Sequence, residues 1–253
     1  MMTMMTKSTG RLFTLVFFLL LTRMANAGEV MVAVAANFTA PMKEIADLFH
    51  KKTGHSANLA FGSSGQFTAQ IQNGAPFEVF LSADQSKPEK LIADGLADGS
   101  SRFTYANGSL ALWSAASGAD VLQQLKSGQF NKLALASPKL APYGEAAVQT
   151  LAAMGLTDSV SAKQVMGENI AQTWQFVSTG NAQLGFVALS QIMADGEITG
   201  GSAWIVPENL YQPIRQDAVL LKKGADNPAA QALLAYLKSD EVTAVITRYG
   251  YSR

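Results

Sequence analysis

Cysteine is absent from the 253 residues, which excludes disulfides, thiolate metal sites and a cysteine nucleophile. Histidine is nearly absent: His50 and His55 are the two imidazoles. They stand five positions apart across an expected helix end at Thr53-Gly54, and no third histidine or cysteine completes a metal set, so both read as solvated surface residues. Charge is scarce and balanced, with 19 basic against 19 acidic side chains. No basic run interleaved with aromatics occurs, so no nucleic-acid surface is expected. Low-complexity segments, fixed-period repeats and long linkers are also missing.

Long apolar runs are missing too, except at the N-terminus. There Lys7 and Arg11 precede the apolar stretch from Leu12 to Leu21, and Ala25-Asn26-Ala27 is a small-x-small cleavage signal. Residues 1–27 are expected to be a signal peptide, too short in its apolar part for an ordinary bilayer span. Their removal takes away Lys7, Arg11 and Arg23 and no acid, leaving 16 basic against 19 acidic residues in a chain of 226. An exported chain without disulfides must hold together by packing, and the Gram-negative periplasm is the expected compartment. A slightly acidic protein has no general field for anions, so an anionic ligand must be caught by local geometry.

Serine catalysis finds no support. Gly62-Ser63-Ser64-Gly65 suggests the sharp turn of a hydrolase, but Gly-x-Ser-x-Gly around Ser64 would need glycine where Gln66 stands. The order of that triad also needs a histidine after the serine, and none follows His55. No pair of carboxylates is singled out by spacing.

What the chain does contain is a strand–helix alternation with small polar turns between. A buried strand over 30–36 runs into Asn37-Phe38-Thr39, then Met42, Ile45, Ala46 and Phe49 recur at helical spacing up to Gly54. Residues 55–61 alternate as a second strand, so strand, helix and strand follow in succession and predict a parallel α/β sheet. A helix over 66–73, a strand over 79–82 and a helix opened by Ser86 and Glu89 in capping-box spacing extend it. A second α/β series comprises strands over 110–113, 133–136, 184–187 and 203–206 and helices over 121–126, 145–154 and 170–178. An extended run over 211–221 and helices over 228–238 and 241–249 close the chain. Terminal helices packing back on the first sheet make the second unit an insertion. The expected division is 28–107 with 213–253 as one lobe and 108–212 as the other, with a cleft between.

Each lobe supplies two helix starts of one kind. Asn37 and Ser63-Ser64 open helices in the first, Tyr143-Gly144 and Asn169-Ile170 in the second. The amides of a first helical turn have no partner within the helix, and the helix dipole adds positive potential there, so such an end binds anions without a cationic side chain. Ordinary capping uses the same groups. One turn therefore decides nothing, whereas four of them suggest a cradle for an oxyanion.

The motifs Ala35-Ala36-Asn37-Phe38-Thr39, Phe61-Gly62-Ser63-Ser64, Asn73-Gly74-Ala75-Pro76, Phe80-Leu81-Ser82-Ala83-Asp84, Asn107-Gly108-Ser109-Leu110, Pro142-Tyr143-Gly144, Leu184-Gly185-Phe186-Val187 and Arg248-Tyr249-Gly250 fall in one order along the chain. In that order the sequence resembles the periplasmic molybdate-binding proteins of ABC transporters, the ModA type, over essentially its whole mature length. The resemblance implies a two-lobed α/β fold of the type II periplasmic binding class. It implies one molybdate or tungstate held at Asn37, Ser64, Tyr143 and Ile170, with Ala36 a weaker contributor, no cofactor, no enzymatic activity, a monomer, and an inner-membrane ABC permease as partner. Asn37 replaces a serine, and Ala188 a tyrosine, of the better-known branch, so the chain looks like a member of a second, Asn/Tyr-site branch. In that branch Tyr143 is expected to compensate for the hydroxyl lost at Ala188. A carrier of sulfate or another tetrahedral oxyanion, and an exported enzyme on the same scaffold, are the alternatives. The sensing half of a transcription regulator can share the fold, but the export signal and the lack of a basic surface speak against it.

Overall fold

The computed structural model describes residues 27–253. All but the last residue of the expected signal peptide lie outside the described residues. Two five-stranded sheets organise the chain. The first has β1 (Glu29–Ala35) between β2 (Ser56–Gly62) and β3 (Val79–Leu81), all parallel. Beyond β3, β12 (Ile214–Leu220) runs antiparallel, and β4 (Phe103–Gly108) pairs antiparallel with β12 at the edge. A central parallel strand is covered on both faces and so reads as a nearly continuous apolar run, which is why Val-Met-Val-Ala-Val-Ala does not alternate.

Side-chain parity sorts the two faces of this sheet. Val30, Val32 and Val34 point into a core with Phe38, Met42, Ile45 and Phe49. That core is built by α1 (Thr39–Thr53) and by the C-terminal α8 (Pro228–Tyr236) and α9 (Asp240–Arg248). Ala33 faces the other way, toward Phe67, Ile71, Phe80 and Leu91, under α2 (Ser64–Gln72) and α3 (Ser86–Ala93). The last residues return to the same sheet, where Ser252 bridges Asn107.

The second sheet has the order β11 (Ser202–Ile205), β5 (Leu110–Ser114), β8 (Leu184–Ala188), β6 (Leu133–Ala136), β7 (Gln164–Gly167). Strands β8, β6 and β7 are mutually parallel, while β5 is antiparallel to both its neighbours. Leu110, Leu112, Leu133, Leu135 and Phe186 are buried against α4 (Val121–Ser127), α5 (Pro142–Ala153) and the short α6 (Thr157–Val160). Ala111, Trp113, Ala134 and Val187 face α7 (Ile170–Ser178). A hairpin of β9 (Met193–Ala194) and β10 (Glu197–Ile198) reaches from this unit to the first, where Gly196 N–H donates to Arg248 O at 3.0 Å and Asp195 pairs with the Arg248 guanidinium.

Several elements depart from sequence expectation for local reasons. Ser86 and Glu89 form no capping box: α3 starts after Gln85, and Asp84 Oδ1 takes the Lys87 N–H at 3.1 Å instead. The capping box of this lobe lies at Ser63 and Gln66, whose side chains and backbone amides pair reciprocally. Helix α5 opens at Pro142, earlier than expected, because proline at its first position needs no N–H partner. The extended run becomes strand only from Ile214, since Glu208–Leu210 form a 3-10 turn.

Candidate functional site

Four parallel strands end at one place. The C-terminal ends of β1 and β2 in the first sheet and of β6 and β7 in the second each lead into a helix, and the four helix starts line one small cavity. This is the crevice beyond the carboxyl ends of strands where open α/β sheets hold ligands. Ala36 and Asn37, Ser63 and Ser64, Pro142 and Tyr143, and Asn169 and Ile170 meet there, with no ionisable group but the Tyr143 phenol in the lining.

Each start is placed by identifiable contacts. Asn37 lies in a 3-10 turn over Ala36–Phe38 with no side-chain cap, so first-turn amides remain free. Ser63 caps α2 through Gln66 N–H, and Asn169 caps α7 by accepting Gln172 N–H at 3.0 Å. Both caps sit at the third helical position and leave the Ser64 and Ile170 amides at the first. Gly144 lets α5 settle on the end of β6, because a Cβ there would come within 2.1 Å of Ala136 O. Gln191 holds α7 by donating to Ile170 O at 3.0 Å and accepting Ala188 N–H at 2.9 Å.

Ser64 is buried, and its Oγ accepts the Ala83 N–H at 2.9 Å. The Ser82-Ala83-Asp84 turn that supplies this amide is fixed by Ser82 Oγ on Asp84 Oδ1 and by Asp84 pairing with Lys87 at 2.6 Å. Asp84 therefore acts on the cavity indirectly, through the orientation of a serine hydroxyl.

Below the cavity lies a buried polar layer whose members are scattered along the chain. Asn37 Nδ2 donates to Gln216 Oε1 at 2.7 Å and to Tyr251 Oη at 2.9 Å. Tyr105 Oη lies 3.0 Å from Gln216 Oε1, and Gln216 Nε2 donates to Tyr143 Oη at 3.1 Å. Tyr251 and Ser190 hydroxyls both reach Asn37 O at 2.8 Å. Burial pushes the Tyr143 and Tyr105 phenols well above the ordinary tyrosine value and Tyr251 up to about 12, so these hydroxyls stay protonated. The one available signal is the polar run Arg215-Gln216-Asp217 inside β12, of which Gln216 and Asp217 are buried.

The Tyr143 hydroxyl accepts from Gln216 Nε2 at 3.1 Å and keeps its own proton to donate, and Tyr143 also lines the cavity at the start of α5. Ala188 itself is buried at the end of β8 and does not line the cavity. The other four expected positions, Ala36, Asn37, Ser64 and Ile170, all line it. Neither His50, in the last turn of α1, nor His55, on the α1–β2 connection, lines it, and His50 Nδ1 is 3.1 Å from His55 O. Among the described residues no cluster of three or more His, Cys, Asp or Glu is placed to hold a metal ion.

The two lobes touch at the rim. Gly65 N–H donates to Leu140 O at 3.0 Å, and Gln66 Nε2 reaches Glu168 Oε2 at 3.3 Å.

Residues 30–252 match the family model described as bacterial extracellular solute-binding protein. The chain is 61% identical over 229 residues to the molybdate-binding protein ModA of Azotobacter vinelandii, covering 90% of this chain and 91% of that one. It is 51% identical over 228 residues to the molybdate-binding protein ModA of Rhodobacter capsulatus, covering 90% and 89%. The solved periplasmic molybdate-binding protein of Azotobacter vinelandii superposes with a TM-score of 0.85 at 40% identity, covering 88% of this chain and 99% of that one.

Proposed function

The chain belongs to the bacterial extracellular solute-binding proteins, in the ModA type, and from that premise we propose that it captures molybdate outside the cytoplasm and delivers it to the permease of an ABC transporter. The observation that carries this reading is the convergence of four helix starts, two from each sheet, on one small cavity lined by neutral groups. The ligand positions are Asn37, Ser64, Tyr143 and Ile170, with Ala36 contributing less. Ser64 gives its hydroxyl, and Tyr143 and Ile170 give backbone amides. Tungstate, of the same charge and shape, occupies the same site, and the protein works as a monomer in the periplasm.

Neutral donors suit this guest. Each helix end offers about half a positive charge, so four of them offset much of a double negative charge. Hydrogen phosphate carries an O–H that must find an acceptor, and a pocket of donors leaves it unsatisfied at a cost of roughly 1–3 kcal/mol. Sulfate has the charge and the shape but is smaller, and donors fixed on rigid helix ends reach its oxygens poorly. The units 28–107 with 213–253 and 108–212 act as two lobes that close over the anion, each contributing half of the donors.

Competition titration with molybdate, tungstate, sulfate and phosphate tests the reading. Tight one-to-one binding of the first two with rejection of the others is expected, and preference for sulfate or phosphate would overturn it.

A further inference from the structure

Two neighbouring residues outside the cavity grip cavity-lining positions of opposite sheets. The 3-10 turn Leu189–Gln191 follows β8, and neither it nor Ala188 lines the cavity. Ser190 Oγ donates to Asn37 O at 2.8 Å, in the turn that follows β1 of the first sheet. Gln191 Nε2 donates to Ile170 O at 3.0 Å, at the start of α7 beside the second sheet, and Gln191 Oε1 accepts the Ala188 N–H at 2.9 Å. Its partners fix the orientation of this side-chain amide, because a backbone carbonyl can only accept and a backbone N–H can only donate. Successive positions of a 3-10 turn point about 120° apart, so one short segment reaches both ways.

The turn is itself firmly seated. Ser190 is buried, and Tyr251 Oη lies 2.9 Å from Ser190 Oγ and 2.8 Å from Asn37 O, which closes a triangle of hydrogen bonds. Ile192 N–H donates to Leu189 O at 3.1 Å. At Gly250, where φ is +79°, a Cβ would come within 2.7 Å of Met193 Sδ and 2.9 Å of Leu189 Cδ2. The backbone just before Tyr251 therefore lies directly against the turn, with no room for a side chain between them.

We propose that this turn is a spacer that sets the separation of Asn37 from Ile170, and that Ser190 and Gln191 are thereby specificity-determining residues that match the cleft to a large tetrahedral dianion and exclude a smaller one. The inference rests on the oxyanion reading of the cleft and identifies what fixes the span across it. Sulfate has the same charge and the same four acceptors, so a helix start free to shift by a few tenths of an ångström would close on it and lose the discrimination. Gln191 grips Ile170 by the carbonyl of the same residue whose amide faces the anion, and Ser190 ties that grip to Asn37. Neither residue touches the anion; both act on the difference between two anions and not on the attraction common to them.

Two variants test this. Gln191→Met keeps the side-chain length and loses both hydrogen bonds. Ser190→Ala removes the bond between the sheets while Tyr251 still reaches Asn37 O. Calorimetric titration of the protein and each variant with tungstate, and displacement of tungstate by sulfate, give the two affinities and their ratio. Tungstate is expected to bind the variants more weakly and sulfate no more weakly than the parent, so that the ratio falls at least about tenfold in Gln191→Met and about threefold in Ser190→Ala. A ratio unchanged in either folded variant, whether both anions weaken alike or neither does, is what a merely structural role gives; it overturns the inference and leaves the functional reading intact. A parent protein that prefers sulfate, or binds neither anion, overturns the functional reading and this inference with it. Should circular dichroism show Gln191→Met unfolded, Ser190→Ala decides alone.

Discussion

Ser64 Oγ accepts the backbone N–H of Ala83 at 2.9 Å, which uses one lone pair and leaves the Ser64 proton for the oxyanion proposed to occupy the cavity that Ser64 lines. Ser64→Ala removes that donor and strands the Ala83 amide. The expected result is a loss of about 1.5–3 kcal/mol in tungstate binding, roughly ten- to hundredfold in affinity. Isothermal titration calorimetry checks it, and affinity within about twofold of the parent would remove Ser64 from the ligand set.

Gly65 gives a separable handle on closure. A Cβ added there would lie 3.0 Å from Leu140 Cα and 3.1 Å from Leu140 O, across the cleft rim. Within its own helix Gly65→Ala is favourable by about 0.5–1 kcal/mol. The variant is expected to melt no lower than the parent, yet to bind tungstate several-fold more weakly, by about 1 kcal/mol of hindered closure. Small-angle scattering with saturating tungstate shows a less compact complex; equal compaction and equal affinity would mean that the rim contact is incidental.

The buried phenols predict an alkaline limit. Tyr251, with a folded value of about 12 against an ordinary value of about 10, holds its proton more tightly folded than unfolded. Its stabilisation is complete below about pH 10 and is lost as pH rises toward about 12, by up to roughly 2–3 kcal/mol. Urea denaturation midpoints from neutral pH upward check this. Tyr251→Phe, less stable at neutral pH, should show a shallower alkaline decline, and a decline as steep as the parent's would contradict the assignment.

Much of this architecture is legible in the residues. The apolar run Val30–Ala35 and the spacing of Met42, Ile45 and Phe49 announce strand and helix because both answer to one burial requirement. Pro142 and Asn169 mark helix starts through local chemistry that needs no tertiary knowledge. The edge strands β4 and β7 and the hairpin of β9 and β10 are not legible, since partly exposed, short segments carry weak periodicity. The polar layer was beyond reach for a different reason. Gln216 is separated from Asn37 by 179 residues and from Tyr143 by 73, and only the meeting of both lobes brings the three together.

The central claim is that uncharged donors from four helix starts hold one tetrahedral oxyanion. Anomalous diffraction at a tungsten edge from crystals of the tungstate complex tests it most directly. The account predicts a single strong peak within hydrogen-bonding reach of Asn37, Ser64 Oγ and the amides of Tyr143 and Ile170, with no lysine or arginine in contact. A peak outside this cavity, or an anion gripped by a cationic side chain, would contradict it.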